Sequence, residues 1–133
     1  GTVDEKTKLD LLSRAQALIH LGYPEGFGIV IIEALATGTP VIAYDVPPIN
    51  EIIVHEVTGI LVRRNSIVDL AKTIIDFGKY NCHFDMLRRT AERYDINTIA
   101  KKFERLYRDL VEFRKGYQYD IEAEVCEDFI HSP

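Results

Sequence analysis

Apolar positions along the chain follow two spacings, and the switches between them lay out its elements. Leu9, Leu12 and Ala15, with Leu11 alongside, form one helical stripe to about Arg14. Thr2 with Glu5 fits a capping box at its start and Asp4 is a rival cap, while Gly1-Thr2-Val3 reads as the tail of a strand. Residues 17–21 then read as a short buried strand that ends at Gly22 and Pro24. Residues 29–36 are apolar at every position except Glu33, the pattern of a helix buried on all sides, and Thr37-Gly38 supplies its stop. Residues 40–44 read as a buried strand, 51–55 as a short helix and 59–62 as a last strand. Ser66 and Asp69 fit a second capping box ahead of the stripe Ile67, Leu70, Ala71, Ile74 and Ile75, stopped by Gly78. A helix over about 84–94 turns Phe84, Leu87 and Ala91 inward. The last helix, about 96–114, carries Ile96, Ile99, Phe103, Leu106, Leu110 and Phe113 at alternating spacings of three and four. A coiled-coil seam is one reading of that stretch, which is under three heptads long. Strands alternating with helices predict an α/β fold, a parallel sheet flanked by helices with ligands at the carboxyl ends of its strands. About three strands are visible, around Ala17, Val41 and Ile60.

Composition narrows the class without changing this outline. At 133 residues the chain is one domain or part of one, and 47% hydrophobic residues suit a globular protein. The run 29–32 is far too short to span a bilayer, and no charged-then-apolar leader opens the chain, so a cytoplasmic location is expected. Net charge is −5, and residues 117–133 hold five acids (Asp120, Glu122, Glu124, Glu127 and Asp128) with no Lys or Arg. The remainder is neutral, so no basic face for nucleic acid is expected. This acidic segment beyond Gly116 is expected to be a flexible tail. Cys82 and Cys126 are far apart and lack metal-ligand spacing, which predicts reduced thiols and no bound metal.

The chemistry centres on residues 25–33, E-G-F-G-I-V-I-I-E. The loop Tyr23-Pro24-Glu25-Gly26-Phe27-Gly28 holds one proline and two glycines, so its backbone can turn sharply and approach a ligand closely. Glu33 is the only charged residue between Gly26 and Tyr44, and a carboxylate in apolar surroundings requires donors or a cation. Glu25 stands just ahead of a helix start, where backbone N–H groups favour anions. Two carboxylates bracketing such a terminus suit a polyhydroxylated, phosphate-bearing ligand. The plain structural alternative is that Glu33 caps a neighbouring backbone group and Glu25 is a solvated loop acid.

The stretch E-G-F-G-I-V-I-I-E-A-L-A-T-G-T-P-V-I-A resembles the E-x(7)-E signature of retaining glycosyltransferases of family 4, which have the GT-B fold. The likeness runs through Glu51 and T-G-I-L-V to about Asn65, and more weakly to Tyr107. It implies a partial Rossmann-like donor-nucleotide-binding domain over residues 1–116, the C-terminal half of a GT-B donor domain. It also implies that Glu25, as catalytic residue, and the amides of Gly26, Phe27, Gly28 and Ile29 face the donor sugar and its phosphates. Glu33 would bind the ribose hydroxyls of a nucleoside-diphosphate sugar. No metal or other cofactor is implied, the acceptor is unspecified, and the last helix, with Ala100 and Tyr107 in familiar places, would brace the other domain.

Several positions qualify that implication. Relatives usually carry a glycine pair where Pro47-Pro48 stands, and prolines donate no N–H there. The phosphate-gripping Arg and Lys of an upstream G-R…K-G segment have no counterpart, and Arg63-Arg64 reads as a solvated loop. His20, beside the loop, is either a peripheral ligand contact or a histidine satisfied by a loop carbonyl. The chain is expected to begin inside the second domain of a longer enzyme, and to be inactive alone. It would self-associate or bind the missing domain through its open sheet edge and last helix. Any membrane contact would be peripheral, through the N-terminal domain. The alternative function is a non-catalytic, truncated binding or assembly module of the same fold. A GT-B relative with another reaction, an epimerase or phosphorylase, is a third.

Overall fold

The computed structural model describes residues 2–130, with side chains described for residues 2–114. The chain forms two units, Gly1–Asp95 and Ile96–Pro133.

The first unit is built on a three-stranded parallel sheet in the order β1-β2-β3. Its strands are β1 (Leu18–His20), β2 (Val41–Tyr44) and β3 (Gly59–Val62). The central strand, paired on both sides, buries Val41, Ile42 and Ala43 almost completely. Its alternating side chains feed two cores. Val41 and Ala43 join Leu12, Ile31, Leu35, Ile49 and Leu87 in one cluster, whereas Ile42 joins Ile60 and Val62 in another. β1 was expected to be buried, but it has only one strand neighbour and leaves Ile19 45% exposed.

Helix α1 (Glu5–Arg14) starts at Asp4, not Thr2. The Asp4 carboxylate accepts hydrogen bonds from the Thr7 N–H (2.9 Å) and the Thr7 hydroxyl (2.8 Å). Thr2 and Val3 belong to no strand, and Gly1 lies outside the described residues. Of the expected stripe only Leu12 is buried; Leu9, Leu11 and Ala15 are exposed. The Thr39 hydroxyl donates to the Leu12 carbonyl (2.6 Å), tying the end of α1 to the turn after the next helix.

That helix, α2 (Ile29–Thr37), ends at Gly38 in the left-handed conformation, as the sequence predicts. It packs on the sheet, α1 and α5 (Phe84–Glu92), burying Ile31, Ala34 and Leu35. It is not buried on all sides: Ala36 is exposed and Ile29 is 65% exposed. Glu33 is the one internal mark of the uncovered face: Ile29 and Ala36 stand four residues before it and three after it, on the same side of the helix.

Helix α3 occupies Ile49–Ile52 instead of 51–55, because Ile49, Ile52 and Ile53 enter the core. His55 lies beyond it and accepts the Leu61 N–H at Nδ1 (3.0 Å). At α4 (Ile67–Asp76) only half of the capping box forms. Ser66 accepts the Asp69 N–H (3.3 Å), while the Asp69 carboxylate pairs with Arg63 (3.2 Å). Leu70 packs on the second core, but Ile67 and Ile75 are 79% and 82% exposed. The helix tightens into a 3-10 turn at Phe77–Lys79. In α5 (Phe84–Glu92), Leu87 and Ala91 point inward, but Phe84 is half exposed and lies against Gly38. Cys82 is half-buried, and burial pushes its thiol pKa up.

The second unit is α6 (Ile96–Ile130), which continues past Arg114 and through Gly116. One glycine costs a helix about 1 kcal/mol, too little to stop a long one. Its seam residues Phe103, Leu106, Leu110 and Phe113 are all more than half exposed. The side chains of the acidic 117–133 segment expected to be flexible, Cys126 among them, lie outside the described residues. Among the described residues no helix is long and apolar enough to cross a membrane.

Candidate functional site

The loop between β1 and α2 draws its own amides onto one carboxylate. Glu25 Oε1 accepts the N–H of Gly26 (3.0 Å) and of Gly28 (3.2 Å). Its other oxygen, Oε2, lies 2.9 Å from His20 Nε2. An ionised carboxylate only accepts, so the imidazole presents its N–H at Nε2. Burial alone would push the Glu25 pKa up; hydrogen bonds from His20 and the Gly26, Phe27 and Gly28 amides outweigh it and hold the carboxyl below its usual range. Gly28 makes this possible: its φ of 81° lies in the left-handed region, and it caps α2 without a side chain of its own. His20 is therefore satisfied by the Glu25 carboxylate and not by a loop carbonyl.

Glu33 lies on α2, where its carboxylate meets the cation that its surroundings require. Lys8 Nζ, from α1, is 2.7 Å from Glu33 Oε1 and 2.6 Å from Glu5. Lys8 carries no signal in the sequence beyond its place on a polar helix face; the packing of α1 on α2 alone connects it to Glu33. Phe27 sets its ring edge-on to Tyr94, with centroids 5.7 Å apart, and Ile29 stays mostly outside the core.

Arg64 also departs from the sequence reading. It is not merely solvated: its guanidinium lies 3.8 Å above the Tyr23 ring, a cation–π contact. The loops after β1 and β3 thus meet at the carboxyl ends of the strands, although β2 separates those strands in the sheet. Arg63 turns away to Asp69. The segment holding Pro47-Pro48 uses its neighbouring donors internally, since the Asp45, Val46 and Asn50 N–H groups bond Val62, Tyr44 and Val46 carbonyls.

A cavity of about 360 Å³ lies between α2 and α5, lined by residues including Ile32, Ala36, Arg88, Ala91 and Glu92. Neither Glu25 nor Glu33 lines it. Among the described residues no three His, Cys, Asp or Glu side chains gather as metal ligands.

The chain is similar to known proteins. The model of the glycosyl transferases group 1 family matches residues 1–94. An uncharacterized glycosyltransferase from Methanocaldococcus jannaschii is 32% identical over 117 residues, covering 84% of this chain and 30% of the relative. A sucrose-phosphate synthase from Thermosynechococcus elongatus superposes with a TM-score of 0.70 at 30% identity, over 84% of this chain and 29% of that one. Anabaena HepE in complex with UDP superposes with a TM-score of 0.64 at 28% identity, over 74% and 29%. The chain spans about 30% of the length of these proteins. Its three-stranded parallel sheet and flanking helices are a GT-B-type arrangement, and the chain belongs to the glycosyl transferases group 1 family.

Proposed function

We propose that the chain supplies the donor-binding side of a sugar-nucleotide-dependent, retaining glycosyltransferase of family 4, through the E-x(7)-E pair. The carrying observation is the convergence of the Gly26 and Gly28 amides on a single anionic oxygen at the start of α2. Amides that hold a carboxylate there can hold a phosphate oxygen instead. In this reading the donor diphosphate takes those donors, with the Phe27 and Ile29 amides beside them, and Glu25 turns to the donor sugar. Arg64, stacked on Tyr23, adds positive charge at the same rim. Amides and cation together stabilise the departing nucleoside diphosphate as charge develops on it, a role that needs no metal. The UDP bound to the HepE neighbour supports a nucleoside diphosphate as the recognised class. Glu33 takes the ribose hydroxyls.

Transfer is proposed for the longer protein, and residues 1–133 alone are expected to transfer no sugar. A second reading, a non-catalytic binding or assembly module of the same fold, is favoured by the exposed apolar seam of α6. Sugar transfer by the full-length protein separates the two.

Glu33→Gln tests the ribose assignment. A hydrogen bond to a charged group is worth about 1.5–3 kcal/mol, so affinity for the nucleoside diphosphate should fall roughly ten- to a hundredfold. Calorimetry with UDP, GDP and ADP on the folded variant measures this. Unchanged affinity would remove Glu33 from the nucleotide site.

A further inference from the structure

The ion pairs of the first unit are not alike. Arg14–Asp10, Lys79–Asp76 and Arg63–Asp69 each include a side chain at least 70% exposed. Only two pairs among the described residues have both partners under 30% exposed. One is His20–Glu25 and the other Lys8–Glu33, at 29% and 23%. Each signature glutamate is therefore held by a half-buried partner from a different element.

We propose that Lys8 is a positioning residue for Glu33: it pins Oε1 and leaves Oε2 to accept hydrogen bonds from the two ribose hydroxyls of a nucleoside diphosphate. The inference rests on the ribose reading of Glu33 given above. Three features of the contact carry it. Lys8 Nζ donates to Glu33 Oε1 at 2.7 Å across 25 residues of sequence, so the contact is tertiary and not a helix-surface pair. Glu5 holds the same ammonium from the other side, at 2.6 Å, so Lys8 is itself fixed between two carboxylates. No described group bonds Glu33 Oε2, so one oxygen of the carboxylate is restrained while the other remains available. Glu33 first, and then Glu5, raises the Lys8 pKa, which keeps the ammonium charged across the working range. A glutamate on a helix without this partner would sample several rotamers, and ordering it on binding would weaken affinity. Lys8 removes that loss before the nucleotide arrives.

The ribose hydroxyls provide a readout that a purely structural tether would not move. In the full-length protein, calorimetry compares UDP, GDP and ADP with their 2′,3′-dideoxy forms. Wild type should bind the ribose form of its nucleotide more tightly than the dideoxy form. Lys8→Met should weaken the ribose form by roughly fivefold, the upper range for a partly exposed ion pair, and leave the dideoxy form nearly unchanged. Lys8→Arg should restore most of the loss, and Lys8→Met should add nothing in a Glu33→Gln background. Equal weakening of both forms would make Lys8 a structural tether, and unchanged or tighter ribose binding would likewise overturn the proposal. A wild type that binds both forms equally would instead overturn the ribose reading of Glu33, and the Lys8 role with it.

Discussion

Replacing Glu25 by Gln in the full-length protein is expected to lower turnover by roughly a hundred- to a thousandfold, the range seen when one preorganised electrostatic group is lost. Binding of free nucleoside diphosphate should stay within about twofold of wild type, because the substitution leaves the loop amides in place. The local geometry explains why a near-isosteric change matters. Glu25 Oε1 faces two N–H donors and Oε2 faces the His20 imidazole, so both oxygens meet donors. A glutamine must turn its NH₂ group toward one of these, and it carries no charge for a developing cationic sugar. Steady-state transfer and calorimetry on the same preparation decide the matter. A parallel fall in nucleoside diphosphate affinity would place Glu25 on the nucleotide half of the donor. The wild-type pair also has a defined acid limit. Because the folded pKa lies below the ordinary 4.5, the stabilisation from this carboxylate is fully present above about pH 4.5 and disappears as pH falls through the lower folded value.

The second large effect concerns folding. Gly59→Ala should destabilise the chain by about 3 kcal/mol, at the upper end for overpacking a tight interior. Gly59 pairs with Val41 in the register of β2 and β3, and an added Cβ there would overlap the Val41 backbone carbonyl. That carbonyl belongs to the central strand, which cannot move without disturbing both cores. Gly78→Ala is the matched control: nothing lies within 4 Å of its Cβ position, so its effect should stay within about 0.5 kcal/mol. Urea unfolding of both variants measures the difference. Equal midpoints would mean that β3 shifts away from β2 at little cost.

Glu25 stands out in the sequence and meets partners within five residues of it, whereas the Gly59 effect draws its size from a cross-strand contact that the sequence does not display. The sequence alone determined what depends on near neighbours. Gly28 and Gly38 bracket α2 because left-handed backbone at a helix end is a local demand, met within a few residues. Ser66 accepts the N–H three residues on, and β2 reads as buried because its residues are uniformly apolar. The E-x(7)-E spacing likewise puts Glu33 about one turn into a helix that starts at Ile29, shortly after Glu25, whatever the rest of the chain does.

Tertiary structure decided which partners those residues meet. Periodicity marked apolar faces on α1, α4 and α6, yet Leu11, Ile75 and Phe113 stay exposed, since a stripe records what can be buried and not what a neighbour covers. Capping chemistry allowed both Thr2 and Asp4, and only Asp4 reaches the Thr7 N–H. Lys8 comes to Glu33 from 25 residues away, and Arg64 comes to Tyr23 from the loop after another strand. Neither approach has a local signature. A polar side chain on a helix face or in a loop costs little wherever it points, so its sequence context does not constrain its partner. Its position is set by how α1 packs on α2 and by the parallel order of three strands, and those follow from burying the shared core.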